Sequence, residues 1–194
     1  MIAGHFGLAA GVKAKAPGVP TWALMLGCVW LDVVFVPLLA AHVETIATVP
    51  GAKDGAYGAG VIYADYTHSL AGALALSLVF GALLGWKYGR RAGWILALVA
   101  LSHWVLDLPM HRADLPLLPG NAGDLPRLGF GLWRYPIPSA ALELALVAIG
   151  GAMYARAARR VAGADPALRA RATLCGGLAL GSGALVLALN LAGL

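Results

Sequence analysis

Residues 92–111 read AGWILALVALSHWVLDLPMH, an apolar run whose ionisable side chains are His103, Asp107 and finally His111. About 20 largely apolar residues are what a helix needs to cross a bilayer. Residues four apart lie on one face of a helix, so these three side chains form a single polar stripe. The stretch therefore predicts a membrane-spanning helix that carries chemistry at one end.

The composition of the whole chain agrees with a membrane location. Of its 194 residues 60% are hydrophobic and 12% are charged, and the mean hydropathy is +0.79. Soluble domains carry about 25% charged and about 45–50% apolar residues. The apolar surplus excludes a soluble domain and a disordered chain, and two cysteines, Cys28 and Cys175, are too few for a disulfide scaffold. We expect an all-α, polytopic membrane helix bundle that forms one domain, residues 1–194.

Five segments have the length and hydropathy of transmembrane helices: 21–41, 67–86, 92–110, 137–155 and 172–192. Residues 1–12 are also apolar but too short to span, and Pro17, Gly18 and Pro20 separate them from the first span. We interpret residues 1–12 as a half-helix or re-entrant segment packed inside the bundle.

Basic residues are enriched on the cytoplasmic side of membrane proteins. With the 13–20 connection in the cytoplasm, ten of the 14 basic residues fall on that side: Lys13, Lys15, Lys87, Arg90, Arg91, Arg156, Arg159, Arg160, Arg169 and Arg171. The remaining four fall on the opposite side: Lys53, Arg112, Arg127 and Arg134. This asymmetry largely explains the net charge of +5, and we expect no nucleic-acid partner.

Six ionisable groups fall in the outer halves of the spans, away from the cytoplasm: Asp32, His68, His103, Asp107, His111 and Glu143. Ionisable groups inside a membrane are unfavourable and mark functional sites by default. For any one of them, the alternative is a hydrogen-bonded core residue or a structural ion pair. Their shared depth favours a metal site, because imidazole and carboxylate are ligands of zinc and related divalent ions.

The spacing of the ligands bears on the number of ions. His103 and Asp107 are four residues apart and can share one metal, whereas His111 is better placed for a second ion that Asp107 would bridge. His5 in the half-helix is a further candidate ligand, with the amine of Met1, or else packs against a carbonyl group. We expect one or two divalent ions, with zinc the first choice.

Two outer loops, about 42–66 and 111–136, are rich in Gly and Pro and show no clear secondary-structure pattern. Loops of this length tend to be functional or mobile. We assign His42 and Glu44, just past the first span, to the membrane interface.

The segment YADYTHS, residues 63–69, leads into the second span. Asp65 is a candidate to orient His68 as an outer-shell carboxylate. Alternatively, it favours the dipole at the N-terminus of the second span. Thr67 and Ser69 are candidates for either role.

These motifs resemble those of a known group. His5 with Ala9 four residues later, Asp32 in the first span, THS at 67–69 and HWVLDLPMH at 103–111 are similar to motifs of small bacterial inner-membrane proteins. That group is described as membrane-bound metal-dependent hydrolases, the YdjM-like group. The likeness covers most of residues 1–145, although Ala9 stands where a Gly is commonly seen. The resemblance implies a multi-pass protein of the bacterial inner membrane.

The order His, Asp, His, HxxxD, His, Glu also resembles the ligand order of the zinc-dependent phospholipase C and nuclease group. That helical family binds up to three zinc ions. The resemblance implies that His5 is a ligand alongside the chain terminus, and it divides the others between two metals: Asp32, His68, His103 and Asp107 around one, His111 and Glu143 at another. The family uses a second pair, HxxxE, but Ser139 stands four residues before Glu143, so one or two ions are expected.

The function we expect is a membrane-embedded, metal-dependent hydrolase of phosphoester bonds in a lipid or lipid-linked substrate at the outer leaflet. Asp32 is the candidate to ligate, or to accept a proton from, the attacking water. Arg112 and Arg134 are candidates to bind the phosphate, the alternative being ordinary solvated or head-group contacts.

Two other functions remain open. A metal-ion or proton transporter uses intramembrane His and Asp, but its pathway needs polar groups in both leaflets, and the inner halves of these spans are nearly free of them. A non-catalytic accessory subunit would use the cluster only as structure. The small-residue pairs Gly81–Gly85 and Gly177–Gly181 permit close helix contacts within the chain or between copies, so the oligomeric state is open.

Overall fold

The computed structural model describes residues 1–52 and 56–192, so Lys53 lies outside the described residues. Within them the chain forms seven α-helices: α1 Ile2–Lys15, α2 Thr21–Gly27, α3 Trp30–Ala40, α4 Leu70–Tyr88, α5 Arg90–Met110, α6 Pro136–Ala162 and α7 Pro166–Ala192. The all-helical class is confirmed, with one small sheet added in a loop.

Four helices, α4 to α7, are long and apolar enough to cross a membrane. The span expected over 21–41 is not one continuous helix: the segment forms two helices, α2 and α3, bent by 52° at Cys28 and Val29. The described residues therefore contain four helices with the length and hydropathy of membrane spans, or five if the bent pair is counted as one span.

The N-terminal helix α1 is 14 residues long, about 21 Å, which is too short to cross the hydrocarbon region. It packs mainly against α6 and α7 and carries a run of buried small residues. A Cβ added at Gly7 would lie 2.5 Å from the carbonyl oxygen of Leu146, and one at Gly150 would lie 1.8 Å from that of Gly7. Glycine at these two positions is what lets α1 lie directly on α6.

The last two helices are longer than the expected spans. Each has 27 residues and is about 40 Å long, beyond the roughly 30 Å of a hydrocarbon core. Most of the basic segment 156–171 is therefore helical, and the connection between α6 and α7 shrinks to three residues, 163–165. Asp165 accepts hydrogen bonds from the backbone of Ala167 at 2.8 Å and Leu168 at 3.1 Å, which caps α7.

The two long loops are more ordered than their sequences indicated. Strands β1, Thr45–Thr48, and β2, Gly60–Tyr63, form an antiparallel hairpin in the first loop. The second loop folds back on itself through a bridge between Leu115 and Leu128. The loops are joined because Arg127 contacts both carboxylate oxygens of Asp65, at 2.5 and 2.9 Å. Together they form a cap over one end of the bundle.

The helices α4 and α5 pack closely against each other, and this holds His68, just before α4, near His103 and Asp107 of α5. A Cβ at Gly81 would lie 2.6 Å from the Gly93 carbonyl oxygen, so the expected close contact of the Gly81–Gly85 pair is made within the chain. At Gly177 and Gly181, by contrast, a Cβ would meet no described atom within 4 Å. An apolar cluster that includes Leu24 and Leu96 fills the bundle between the basic helix ends and the polar residues of α5.

Candidate metal centre

The bundle brings five of the predicted ligands to one place beneath the cap, and a sixth joins them at its edge. They come from separate elements: His5 from α1, Asp32 from α3, His68 from the turn before α4, His103 and Asp107 from α5, and His111 from the residue that follows α5. All except Asp32 are buried. His5 and Asp107, which are 102 positions apart in the chain, thus meet. The meeting of Asp32, His68, His103, Asp107 and His111 agrees with the common depth predicted for them.

Asp107 contacts three histidines. Its Oδ1 lies 3.1 Å from His5 Nε2, and its Oδ2 lies 3.1 Å from His103 Nε2 and 3.7 Å from His111 Nε2. The rings of His5 and His103 stack with centroids 3.9 Å apart. The carboxylate therefore links the short helix α1 to the polar stripe of α5.

Asp32 contacts the other side of the cluster. Its Oδ1 lies 3.5 Å from the Nε2 atoms of both His68 and His103, and these two nitrogens are 3.3 Å apart. Two groups have ligand atoms that all lie within 4.8 Å of one another: His5, His103 and Asp107, and Asp32, His68 and His103. His103 belongs to both groups.

Hydrogen bonds at Nδ1 determine where two of the rings keep their lone pairs. His103 Nδ1 lies 2.9 Å from the carbonyl oxygen of Cys28, and His111 Nδ1 lies 2.9 Å from Asp114 Oδ1. Both partners are acceptors only, so each Nδ1 carries a proton and donates it. The neutral rings then direct the Nε2 lone pair into the cluster, which is the arrangement of metal-binding histidines and their outer partners.

These donors fit a divalent cation. Imidazole nitrogens and carboxylate oxygens are the ligand types of zinc and related ions. The short distance between the Nε2 atoms of His68 and His103 places two lone pairs face to face unless a cation or a proton lies between them. Because the neutral imidazole of His103 has one free lone pair, it could ligate only one ion. The set therefore accommodates one ion, or two with Asp107 between them.

His5 differs from the other three histidines. Its Nε2 lies against Asp107, and its Nδ1 is buried with no hydrogen-bond partner among the described residues. A buried polar atom without a partner is unfavourable. Because a carboxylate can only accept, Nε2 of His5 donates its proton to Asp107, and the Nδ1 lone pair is the one left without a partner in the described part of the chain.

Glu143 lies apart from the cluster. It is buried, and its carboxylate accepts hydrogen bonds from Tyr57 Oη at 2.6 Å and from the backbone N–H of Gly4 at 3.2 Å. Burial and the hydrogen bond to Glu143 raise the pKa of the Tyr57 phenol. In this position the carboxylate holds the first turn of α1 and the first outer loop.

The two candidate phosphate-binding arginines have different surroundings. Arg112 Nη1 donates to the carbonyl oxygens of Gly58 at 2.6 Å and Gly60 at 3.2 Å, which ties it to the hairpin. Arg134 is exposed and ends a short 3-10 turn, Leu132–Arg134. The preceding Trp133 packs on the ring of His111 with centroids 4.4 Å apart, so Arg134 lies close to the edge of the cluster.

Two further carboxylates hydrogen-bond to histidines of the cluster, one directly and one through a threonine, and neither was predicted to do so. Glu44, expected at the membrane interface, is fully buried and reaches His68 through Thr67. Asp114 accepts from His111 at Nδ1 and from the backbone N–H of Ile62 at 3.1 Å. The spacing of Asp114, three residues after His111, could have indicated their contact in the sequence. No feature of the sequence indicated the position of Glu44.

The expectation that Asp65 orients His68 is wrong, because its carboxylate binds Arg127 instead. The hydrogen bonds that Arg127 donates to that carboxylate raise the pKa of its guanidinium. The side chain that contacts Nδ1 of His68 is that of Thr67. Ser69 caps α4, because its hydroxyl oxygen accepts a hydrogen bond from the N–H of Gly72 at 3.0 Å. At His111 burial disfavours the charged ring, but hydrogen bonds to Asp107 and Asp114 outweigh it and raise the pKa, so a metal ion would have to displace a proton from Nε2 to bind there.

No family model, curated protein or solved structure matches the chain. What the fold and site define is a class: a helical membrane protein with a buried His and Asp cluster that can hold a metal ion.

Proposed function

We propose that this chain is a membrane-embedded, metal-dependent hydrolase that cleaves phosphoester bonds in a lipid or lipid-linked substrate. The observation that carries the proposal is the meeting of His68 and His103 with Asp32, where nitrogen lone pairs and a carboxylate face one small space. A divalent ion bound there lowers the pKa of a coordinated water and stabilises negative charge on a phosphate. One or two ions, zinc first among them, suit these ligands.

The difference between the two carboxylates supports a division of roles. The side chain of Asp107 is 4% exposed and surrounded by three histidines, as expected for a ligand. The side chain of Asp32 is 38% exposed, so water and substrate can approach it. We assign to Asp32 the role of orienting the attacking water and accepting its proton.

The substrate approaches from the capped end of the bundle. Arg134 is exposed beside Trp133, and we assign it to the phosphate of the substrate. Arg112 is already bound to backbone carbonyls and serves mainly to hold the hairpin, although its remaining N–H groups can contribute.

The topology that accompanies this function has five spans, with α2 and α3 as one bent span and α1 as a half-helix. The basic helix ends face the cytoplasm, in keeping with the positive-inside rule, and the protein belongs to the bacterial inner membrane. His103 lies 13 residues, about 20 Å, from the basic end of α5 at Arg90, which supports a site in the outer leaflet.

Cysteine labelling tests this topology. In a chain lacking Cys28 and Cys175, Ala122→Cys in the outer cap and Ala164→Cys between α6 and α7 are matched exposed positions. A membrane-impermeant maleimide added to intact cells should label the first, and the second only after permeabilisation. The reverse pattern contradicts the proposed orientation.

Activity is tested with purified protein loaded with zinc or manganese and assayed on phospholipids and model phosphodiesters. His103→Asn should abolish turnover and metal binding. His42→Asn is the matched control, because His42 is exposed and its positive φ of 56° suits Asn. A wild-type protein that holds metal yet turns over none of these substrates contradicts the hydrolase proposal.

Transport through the same cluster is less well supported. An ion path would need polar groups through the layer around Leu24 and Leu96, whereas the buried acids and histidines of the described residues all lie towards the capped end. Uptake of zinc or protons into proteoliposomes that is abolished by His103→Asn is the result that would favour transport.

A further inference from the structure

A buried carboxylate outside the proposed ligand set is connected to His68 through one intervening side chain, that of Thr67. Glu44, between α3 and β1, has no exposed surface and no cationic partner among the described residues. Its Oε1 accepts hydrogen bonds from the backbone N–H groups of Tyr66 at 2.7 Å and Thr67 at 2.9 Å, and its Oε2 accepts from Thr67 Oγ1 at 2.8 Å. Burying an acid in this way is unfavourable unless each of its oxygens is satisfied.

The directions of these hydrogen bonds follow from the atoms involved. A carboxylate can only accept, so the single hydroxyl proton of Thr67 points to Glu44. Thr67 Oγ1 also lies 2.9 Å from His68 Nδ1 and, with its proton already donated, can only accept there. His68 Nδ1 must therefore carry a proton and donate it, which leaves Nε2 free to face Asp32 and His103.

His68 differs in this respect from His103 and His111. Those two rings donate to a backbone carbonyl oxygen and to a carboxylate, which by themselves admit only one direction. A threonine hydroxyl can donate or accept. The tautomer of His68 therefore depends on the group that accepts the hydroxyl proton of Thr67, which is Glu44.

We infer that Glu44 is a positioning residue that sets the tautomer of His68 through Thr67 and so keeps the Nε2 lone pair available to the metal. The importance of this relay for metal binding rests on the proposed metal site. The relay itself is a property of the metal-free protein, and it can be measured there whether or not the protein is a hydrolase.

Glu44→Gln is the discriminating variant because it preserves the shape of the side chain. The backbone N–H groups of Tyr66 and Thr67 retain the amide oxygen as their acceptor, so the amide NH₂ faces Thr67 Oγ1 and donates to it. The threonine proton then turns to His68 Nδ1. The expected result is loss of the proton from Nδ1, with the neutral ring protonated at Nε2.

The experiment is ¹⁵N NMR of histidine-labelled, chelator-treated protein in detergent, with each ring assigned by its own His→Asn variant. In the wild type His68 should carry its proton on Nδ1, and in Glu44→Gln it should not, while His103 and His111 keep their protons on Nδ1. An unchanged His68 overturns the relay. A joint change of all three rings overturns it as well, since that indicates general loosening of the cap.

Three further variants separate the relay from a merely structural role of Glu44. Thr67→Ser keeps the hydroxyl and should keep the proton on Nδ1. Thr67→Val removes the relay, so adding Glu44→Gln to it should have no further effect on the tautomer. Asp65→Asn breaks the pair with Arg127 in the same loop and should leave His68 as in the wild type. A tautomer change in Asp65→Asn overturns the assignment.

Metal affinity is the second readout. Zinc titration against a chromophoric chelator should show weakening of about 10- to 100-fold in Glu44→Gln, the range for losing an outer-shell partner of a ligand. Thr67→Ser should bind as the wild type does. A changed tautomer with unchanged zinc affinity retains the relay but removes its link to the metal. If instead zinc does not bind the wild type, the failure lies with the proposed function.

Discussion

Substitution of Gly150 by alanine tests how the short helix α1 delivers His5 to the cluster. Gly150 lies on α6 against Gly7 of α1, two residues from His5. A Cβ there would lie 1.8 Å from the carbonyl oxygen and 2.6 Å from the carbonyl carbon of Gly7. Both atoms belong to backbone, so no side-chain rotation can relieve the overlap, and the two helices must separate.

The required separation is large compared with the geometry of the site. Ordinary van der Waals contact begins at 3.4 Å, so α1 must move by about 1.5 Å. His5 Nε2 is 3.1 Å from Asp107 Oδ1, and a shift of that size in the wrong direction takes it out of hydrogen-bonding range. We expect a loss of about 1–3 kcal/mol in the free energy of unfolding from overpacking. We also expect zinc affinity at least about 10-fold lower, as when an outer partner of a ligand is lost.

Zinc affinity by chelator competition and unfolding in detergent micelles are the two assays. Gly11→Ala is the matched control in the same interface, because its Cβ would meet Gly150 Cα at 3.5 Å and Met153 Sδ at 3.6 Å, which are ordinary contacts. It should leave zinc affinity unchanged and, through helix propensity, raise stability by at most about 1 kcal/mol.

The His5→Asn background separates displacement of His5 from other damage. In that background, adding Gly150→Ala should lower stability as before but should not weaken zinc binding further. Equal zinc affinities in wild type, Gly150→Ala and Gly11→Ala would refute the reasoning, because α1 would then not be held against α6 at the distance that places His5. A further loss of zinc affinity in the His5→Asn background refutes it too.

Three shorter predictions concern the site and its support. Asp32→Asn should retain zinc while turnover falls by about 10²- to 10⁴-fold, the contribution of a general base, whereas Asp107→Asn should lose zinc, as elemental analysis will show. Tyr57→Phe should lower the free energy of unfolding by about 1–3 kcal/mol because a buried carboxylate loses a donor, while exposed Tyr135→Phe should change it by less than about 0.5 kcal/mol. Arg134→Gln should raise KM about 10- to 100-fold with metal content unchanged, consistent with loss of a charge-assisted hydrogen bond of about 1.5–3 kcal/mol.

Composition and hydropathy predicted the helical class and the apolar helices, because lipid requires long apolar segments whatever the tertiary packing. The bend between α2 and α3 was not predictable from the same pattern. No proline stands at Cys28 or Val29, and an apolar run of that length is typical of a straight span. The bend becomes intelligible only with α5 in place, since His103 binds the carbonyl oxygen of Cys28 there.

The convergence of the candidate site was predictable for a similar reason. The direction of a span and the position of a residue along it predict how deep that residue lies in the membrane. The predicted depths of His68, His103 and Asp107 were alike, and this is why they were grouped correctly. Depth does not give direction around the helix axis, so Glu143 was grouped with them although it faces Tyr57 and α1. Nor does it predict the path of a loop, which is why the inward course of Glu44 had no sequence signal.

The charge balance of the cluster argues for a divalent cation over a purely structural network. Asp32 and Asp107 bring two negative charges, and the described residues offer them no lysine or arginine partner. Two imidazolium rings of the cluster could also neutralise them, but His68 and His103 cannot both be protonated at Nε2, because the two protons would point at each other across 3.3 Å. One cation of charge two between these atoms neutralises both carboxylates and occupies the facing lone pairs at once. Wild-type protein that remains free of zinc, manganese and iron after purification without chelators, and that is not stabilised against unfolding by adding them, would refute this argument.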